Sequence, residues 1–184
     1  MKSGYEEAIN LASRQLAQIP PEVVCEHCGV SYEGGDFFVP WMNEKIALSA
    51  ASDWQKILFL HYLVAQGSKK PSGKLMSYRD ISGARFYEPN FIKRAVRPLV
   101  KRFGKDPSGL IEKVESLGGI KTNTGDASIT INALPYIPIT FIIWKGDDEF
   151  PPEGSVLFDE TAKGWLPAED YVVLASIIVY KIIS

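Results

Sequence analysis

At 184 residues, with 46% apolar and 23% charged residues, the chain has the length and composition of one globular domain, or at most two small ones. Its formal net charge of -2 provides no global attraction to nucleic acid or to an anionic membrane. The longest apolar run, Tyr171 to Tyr180, is interrupted by Ser176 and falls far short of the ~20 residues that cross a bilayer.

The polar opening Met1 to Glu7 lacks the apolar stretch that leads a secreted chain. Cys25 and Cys28, the two cysteines of the sequence, are close together and do not suggest a secreted disulfide framework. A reduced, cytoplasmic setting is the expectation. Charge is unevenly spread: from Asp147 onward eight acids face Lys163 and Lys181, a balance of -6, whereas the preceding 146 residues carry +4.

In chain order, Ser3 and Glu6 have capping-box spacing, and Tyr5, Ala8, Ile9, Ala12 and Leu16 recur at helical intervals. This predicts a helix that ends before Pro20-Pro21. From Val23 to Leu48, short apolar runs broken by Gly29 and Gly34-Gly35 predict small strands in a meander. Ser52 and Gln55 form a second capping box, opening a helix through Trp54, Ile57, Leu58, Phe59, Leu60, Leu63 and Val64. It is apolar nearly all round, the pattern of a central helix.

Gly67 to Gly73 reads as a surface loop and Leu75 to Tyr78 as a short extended piece. Pro89, at a first-turn position, starts a helix with Ile92, Ala95, Val96 and Leu99 on one side, which Pro98 should kink or divide. Asp106-Pro107 caps a helix carrying Leu110, Ile111, Val114 and Leu117, stopped at Gly118-Gly119. Ala127 to Ala133 alternates as a half-buried strand, with Ser128, Thr130 and Asn132 outward. Ile139 to Trp144 reads as a more central strand, and Val156 to Phe158 returns after a turn. Pro167, Glu169 and Asp170 lead a last helix, although its valines and isoleucines also suit a strand. The sum is a single α+β domain over residues 1–184, a mostly antiparallel sheet packed against about five helices.

Several groups could carry chemistry. Cys25 and Cys28 have the spacing of half a metal or redox site, but no second cysteine or histidine pair completes it, and two free thiols beside a strand turn is the plainer reading. Asp147, Glu149 and Asp159 could bind a hard cation or supply an acid and a base, although their spacing fails the calcium-loop template. A solvated turn, with Asp159 capping a local turn, is the plainer alternative. His61 lies within the buried helix, either as a ligand or proton carrier or as a core histidine bonded to backbone. Tyr78, Arg79 and Arg85 precede a helix in the manner of an anion site. The basic run from Lys93 to Lys105 could meet phosphate or an acidic partner, and also matches the solvated side of a helix. No Gly-rich phosphate loop, nucleophile elbow or His-Glu-x-x-His zinc helix is present.

The segments 60–63, 77–87, 117–119, 134–138, 144–151, 157–159 and 166–170 together resemble the domain of unknown function 3786 family, with the carboxyl-terminal third the most specific. The resemblance implies a family found mainly in anaerobic bacteria and archaea, with no assigned activity. Some of its members carry an added cysteine-rich iron–sulfur domain of the kind found with corrinoid methyl-transfer proteins, and no such cysteine-rich stretch occurs in these 184 residues. The acidic loop from Gly146 to Pro151 and Asp159 fall on the resemblance, whereas Cys25 and Cys28 do not.

Two functions follow as expectations. The first is a non-catalytic binding or accessory protein of anaerobic redox, iron–sulfur or corrinoid metabolism, with a redox or corrinoid/iron–sulfur protein as partner and neither nucleic acid nor membrane. It calls for an apolar or mixed cleft near His61 and the Tyr78 to Tyr87 loop, without a convergent set of titrating groups. The second is a metal-dependent, hydrolase-like enzyme whose Asp147, Glu149 and Asp159 converge within ~4–6 Å. The residues point to no particular cofactor.

Overall fold

Prolines, capping side chains and left-handed glycines set the limits of the helices. The computed structural model describes residues 4–65 and 69–184. Ser3, Gly67 and the side chains of Tyr5 and Val114, each given a part by the sequence reading, lie outside the described residues.

Helix α1 (Gly4–Leu16) buries Ala12 and Leu16. Pro21 then opens a second helix, α2 (Pro21–Cys28), where small strands were expected. Val24 and Cys28 lie one helical turn apart and both face the core, so the apolar signal at Val23-Val24 was helical rather than extended. Gly29 ends α2 with φ 67°, and a β-carbon there would fall 3.0 Å from the Tyr136 ring.

The meander expected further on is present as β1 (Ser31–Glu33), β2 (Asp36–Trp41) and β3 (Glu44–Ala47), an antiparallel sheet in that order. Phe37, Val39 and Trp41 alternate into the core from β2. Helix α3 (Asp53–Val64) starts at the Ser52–Gln55 capping box and buries Leu58, Phe59, Leu60, Tyr62 and Leu63.

After β4 (Leu75–Ser77) a long rod begins at Ala84, five residues before Pro89, which sits inside it. The rod is α4 (Ala84–Phe91), a π-helical turn (Ile92–Val96) and α5 (Arg97–Phe103). Pro98 has no amide hydrogen and its ring crowds the carbonyl four residues back. The wider turn just before it, in which the Arg97 amide reaches back to Ile92, accommodates that crowding. At the next helix Asp106 accepts from the Ser108 amide at 3.2 Å and opens α6 (Ser108–Glu115).

The main sheet has the order β4-β8-β7-β6-β5, antiparallel throughout, from β5 (Ile120–Thr122), β6 (Ala127–Leu134), β7 (Ile137–Trp144) and β8 (Glu153–Asp159). Strand β5 was not anticipated, since three residues carry too little pattern. Ser128, expected on the outer face, is buried because its hydroxyl bonds Thr122 Oγ1 at 2.7 Å and the Thr124 amide at 2.9 Å. Helix α7 (Ala168–Ile183) is buried at ten positions and closes a single core that runs from Ala12 to Ile182, so the chain is one α+β domain. Among the described residues, no helix is long and apolar enough to cross a membrane.

Sheet, rod and α7 meet at Phe158 of β8. Its ring lies 4.9 Å from Tyr171, 6.0 Å from Phe91 and 6.2 Å from Tyr78. Tyr78 and Phe91 stack on each other at 4.1 Å. Because Phe158 is fully buried, Phe158→Ala is expected to destabilise the fold by about 3–5 kcal/mol, measured as a lower urea midpoint at unchanged m-value.

Candidate functional site

His61 stands in the last turn of α3 and Asp170 in the first turn of α7, two helices whose apolar faces share the core. His61 Nδ1 and Asp170 Oδ2 lie 2.6 Å apart, with side chains 30% and 11% exposed. An ionised carboxylate only accepts, so Nδ1–H donates to Asp170, leaving Nε2 as the ring nitrogen open to a ligand. The bond from Asp170 raises the imidazole pKa most, burial works against it, and the charges of Asp170 and Glu169 add to the rise. His61 therefore holds its second proton to higher pH than a free imidazole.

The pair borders a cleft of about 370 Å³ between three helices. Ala8 comes from α1, Trp54, Ile57, Leu58 and His61 from α3, and Glu169, Asp170 and Val173 from α7. Its wall is apolar apart from this cluster and the Trp54 indole. Glu169 also accepts from the Tyr87 hydroxyl at 3.3 Å, which ties the rod to the head of α7.

The other residues singled out by sequence fall in three places. Tyr78 is in the core, where its hydroxyl donates to the Ala168 carbonyl at 2.9 Å and helps seat the start of α7. Arg79 is paired with Glu88, and Arg85 lies exposed on α4. These three do not form one anion-binding set.

Cys25 and Cys28 share α2. Cys28 is fully buried, its Sγ directed at the Tyr62 carbonyl at 3.6 Å, and burial, with a smaller push from Cys25, takes its pKa up to about 12. Half-buried Cys25 is also raised, by burial and then by Glu22. Both thiols are free, and with one sunk in the core they present no shared open face. Among the described residues, no group of three or more His, Cys, Asp or Glu side chains is placed to hold a metal ion.

The carboxylates grouped after Trp144 do not meet. Asp147 closes its own loop, accepting from the Phe150 amide at 2.7 Å and the Glu149 amide at 2.9 Å. Those two bonds hold its carboxyl below the usual range, while Glu149 is exposed. Asp159 is at the far end of β8, roughly 20 Å along the strand. It is buried and accepts from the amides of Gly73 (2.7 Å), Thr161 (3.0 Å) and Ser72 (3.1 Å) and from the Thr161 hydroxyl (2.7 Å). Burial pushes its pKa up, but these donors outweigh it and the net displacement is downward.

Asp170, Glu169 and Trp54 were visible only as helix-start and core residues. The acids were legible as first-turn residues, but no spacing rule links Asp170 to a histidine 109 positions earlier.

A single α+β domain with one carboxylate-oriented histidine at a small mixed cleft is the class that fold and site define. The family model described as domain of unknown function (DUF3786) matches residues 20–181, and the chain belongs to that family. No curated protein and no solved structure matches it.

Two outcomes follow from the carboxylates. The folded pKa of His61 lies above its ordinary 6.5, so the contribution of the pair to stability is complete below pH 6.5 and is lost as pH rises through the folded value. In Asp170→Asn the His61 titration, followed by NMR of its ring protons, is expected to move down toward the ordinary value. Asp159→Ala removes the shared acceptor of the part-buried Ser72, Gly73 and Thr161 donors and is expected to cost about 1–3 kcal/mol at pH 7 by urea unfolding. Since the Asp159 carboxyl is held below its ordinary 3.8, this deficit should shrink as pH falls through the lowered value.

Proposed function

We propose that this protein is a non-catalytic binding or accessory protein that takes one small organic ligand in the cleft between α1, α3 and α7. The observation that carries the reading is the 2.6 Å contact from His61 to Asp170 at the cleft wall. A carboxylate on one ring nitrogen aligns the imidazole and commits the other to whatever enters. Ligand sites typically combine an apolar wall with a few oriented polar groups, in volumes of roughly 300–1,000 Å³. Trp54, Ile57 and Val173 supply the wall for an apolar body, and His61 supplies the polar contact, a donor while its ring is protonated. Among the described lining residues there is no hydroxyl or thiol for the imidazole to activate, which favours binding over nucleophilic chemistry.

Service to anaerobic redox, iron–sulfur or corrinoid metabolism is part of this proposal and rests on the family resemblance alone. At about 370 Å³ the cleft is near the small end for ligand sites. A corrinoid thus enters this reading as cargo of a partner protein. The hydrolase-like alternative has against it the separation of Asp147 and Glu149 from Asp159 along β8.

Ligand-observed NMR with a library of small amphiphiles, run on wild type, His61→Gln and Trp54→Ala, tests the proposal. Hydrogen-bond acceptors are expected to bind the wild type and to lose about tenfold or more in affinity in His61→Gln. Their affinity should also fall as pH rises through the titration of His61. A wild-type protein that retains no compound, or variants that bind as well as wild type, rules the reading out.

A further inference from the structure

A second cleft, unrelated to His61, lies between α5 and the carboxyl-terminal end of α7. Arg97, Pro98, Lys101, Arg102, Tyr180 and Ile183 line it, enclosing about 510 Å³. Its charged side chains are all cations. They belong to the stretch 92–105, which has six basic residues (Lys93, Arg94, Arg97, Lys101, Arg102, Lys105) and no acid.

A solvated helix face ordinarily mixes signs, because like charges one turn apart repel. Here Arg97 and Lys101 are such a pair, and among the described residues none of the six bases makes an ion pair. Asp106, on the following turn, is held chiefly by the hydroxyl and amide of Ser108, with weaker contributions from Lys145 and Arg102. Arg102 is thus partly matched, by Asp106 and by the Phe103 ring, whose centroid lies 4.9 Å from its guanidinium carbon, and the repulsion between Arg97 and Lys101 is left standing. The frame behind it is rigid, since Leu99 and Phe103 on the opposite side of α5 are fully buried.

The other wall is equally unusual. Tyr180 is 53% exposed, near the end of a helix otherwise packed into the core. With Pro98 and half-buried Ile183 it supplies the apolar part of the lining beside the cations. Arginine forks match phosphate oxygens, and an exposed tyrosine ring offers a face for a planar group.

We propose that this groove binds a small organic phosphate with a planar apolar body. The phosphate is taken by Arg97, Lys101 and Arg102, and the body rests on Tyr180 and Pro98. The site is independent of the His61 cleft.

The test uses the full chain in phosphate-free buffer, with ADP, pyrophosphate and adenosine as probes, by calorimetry and by amide NMR. ADP is expected to bind saturably at one site, shifting the Tyr180 and Ile183 resonances, with pyrophosphate weaker at the same resonances and adenosine weaker still. The double variant Arg97→Gln with Lys101→Gln should lose about tenfold or more in affinity for both phosphates. Tyr180→Ala should weaken ADP alone. All three substituted positions are exposed, so circular dichroism should report unchanged folding. The proposal is overturned by absence of a saturable shift at Tyr180 and Ile183, by affinity that survives the double variant, or by ADP binding no tighter than pyrophosphate.

Discussion

A carboxylate taken out of water has to be met by donors, and two such carboxylates decide how this chain closes. Asp159 collects the amides of Ser72, Gly73 and Thr161, and so ties the chain leading into β4 to the end of β8. Asp170 is met by His61, and so ties α3 to α7. Hydrophobic burial drives these elements inward without specifying their rotation or register. The two polar knots supply that missing specification: a slip of either element would leave a buried charge without donors.

The chemistry of the cleft follows from the same requirement. Asp170 is at the head of a helix whose body is almost wholly buried, so its carboxylate has the core on one side and the cleft on the other. By occupying Nδ1 it determines which nitrogen of His61 is left and favours the charged ring. Tyr78 and Tyr87 contribute from a distance, one seating the Ala168 carbonyl and the other steadying Glu169. A loop read from sequence as an anion site thereby acts as a support for the start of α7.

Helix α7 carries opposite surroundings at its two ends. Glu169 and Asp170 lie in its first turn, and Tyr180 faces the cations of α5 roughly 15 Å further along. Both arrangements complement the helix dipole, positive at the amino end and negative at the carboxyl end. The uneven charge along the sequence is thus partly resolved in space, with acids and bases at opposite ends of one buried helix, α7.

Elements with strong local signals were legible in the sequence: the capping box at Ser52, the alternation of β6, the apolar run of β7 and the proline-led, acidic start of α7. Weak or ambiguous signals were misread for identifiable reasons. Val23-Val24 suits strand or helix, and the helical turn that pairs Val24 with Cys28 resolved it. Pro89 suggested a helix start, but Gly83 and Ala84 began the rod earlier and Pro89 was carried inside. The acids of the 147–159 stretch are neighbours by number only, because β8 runs extended between them and sends them to opposite ends of the sheet. The sequence by itself determined the mix of helices and antiparallel strands, because apolar periodicity and capping act over a few residues. Only the tertiary structure decided which polar groups meet, because the approach of His61 to Asp170 and of Tyr180 to Arg97 depends on how separate helices pack.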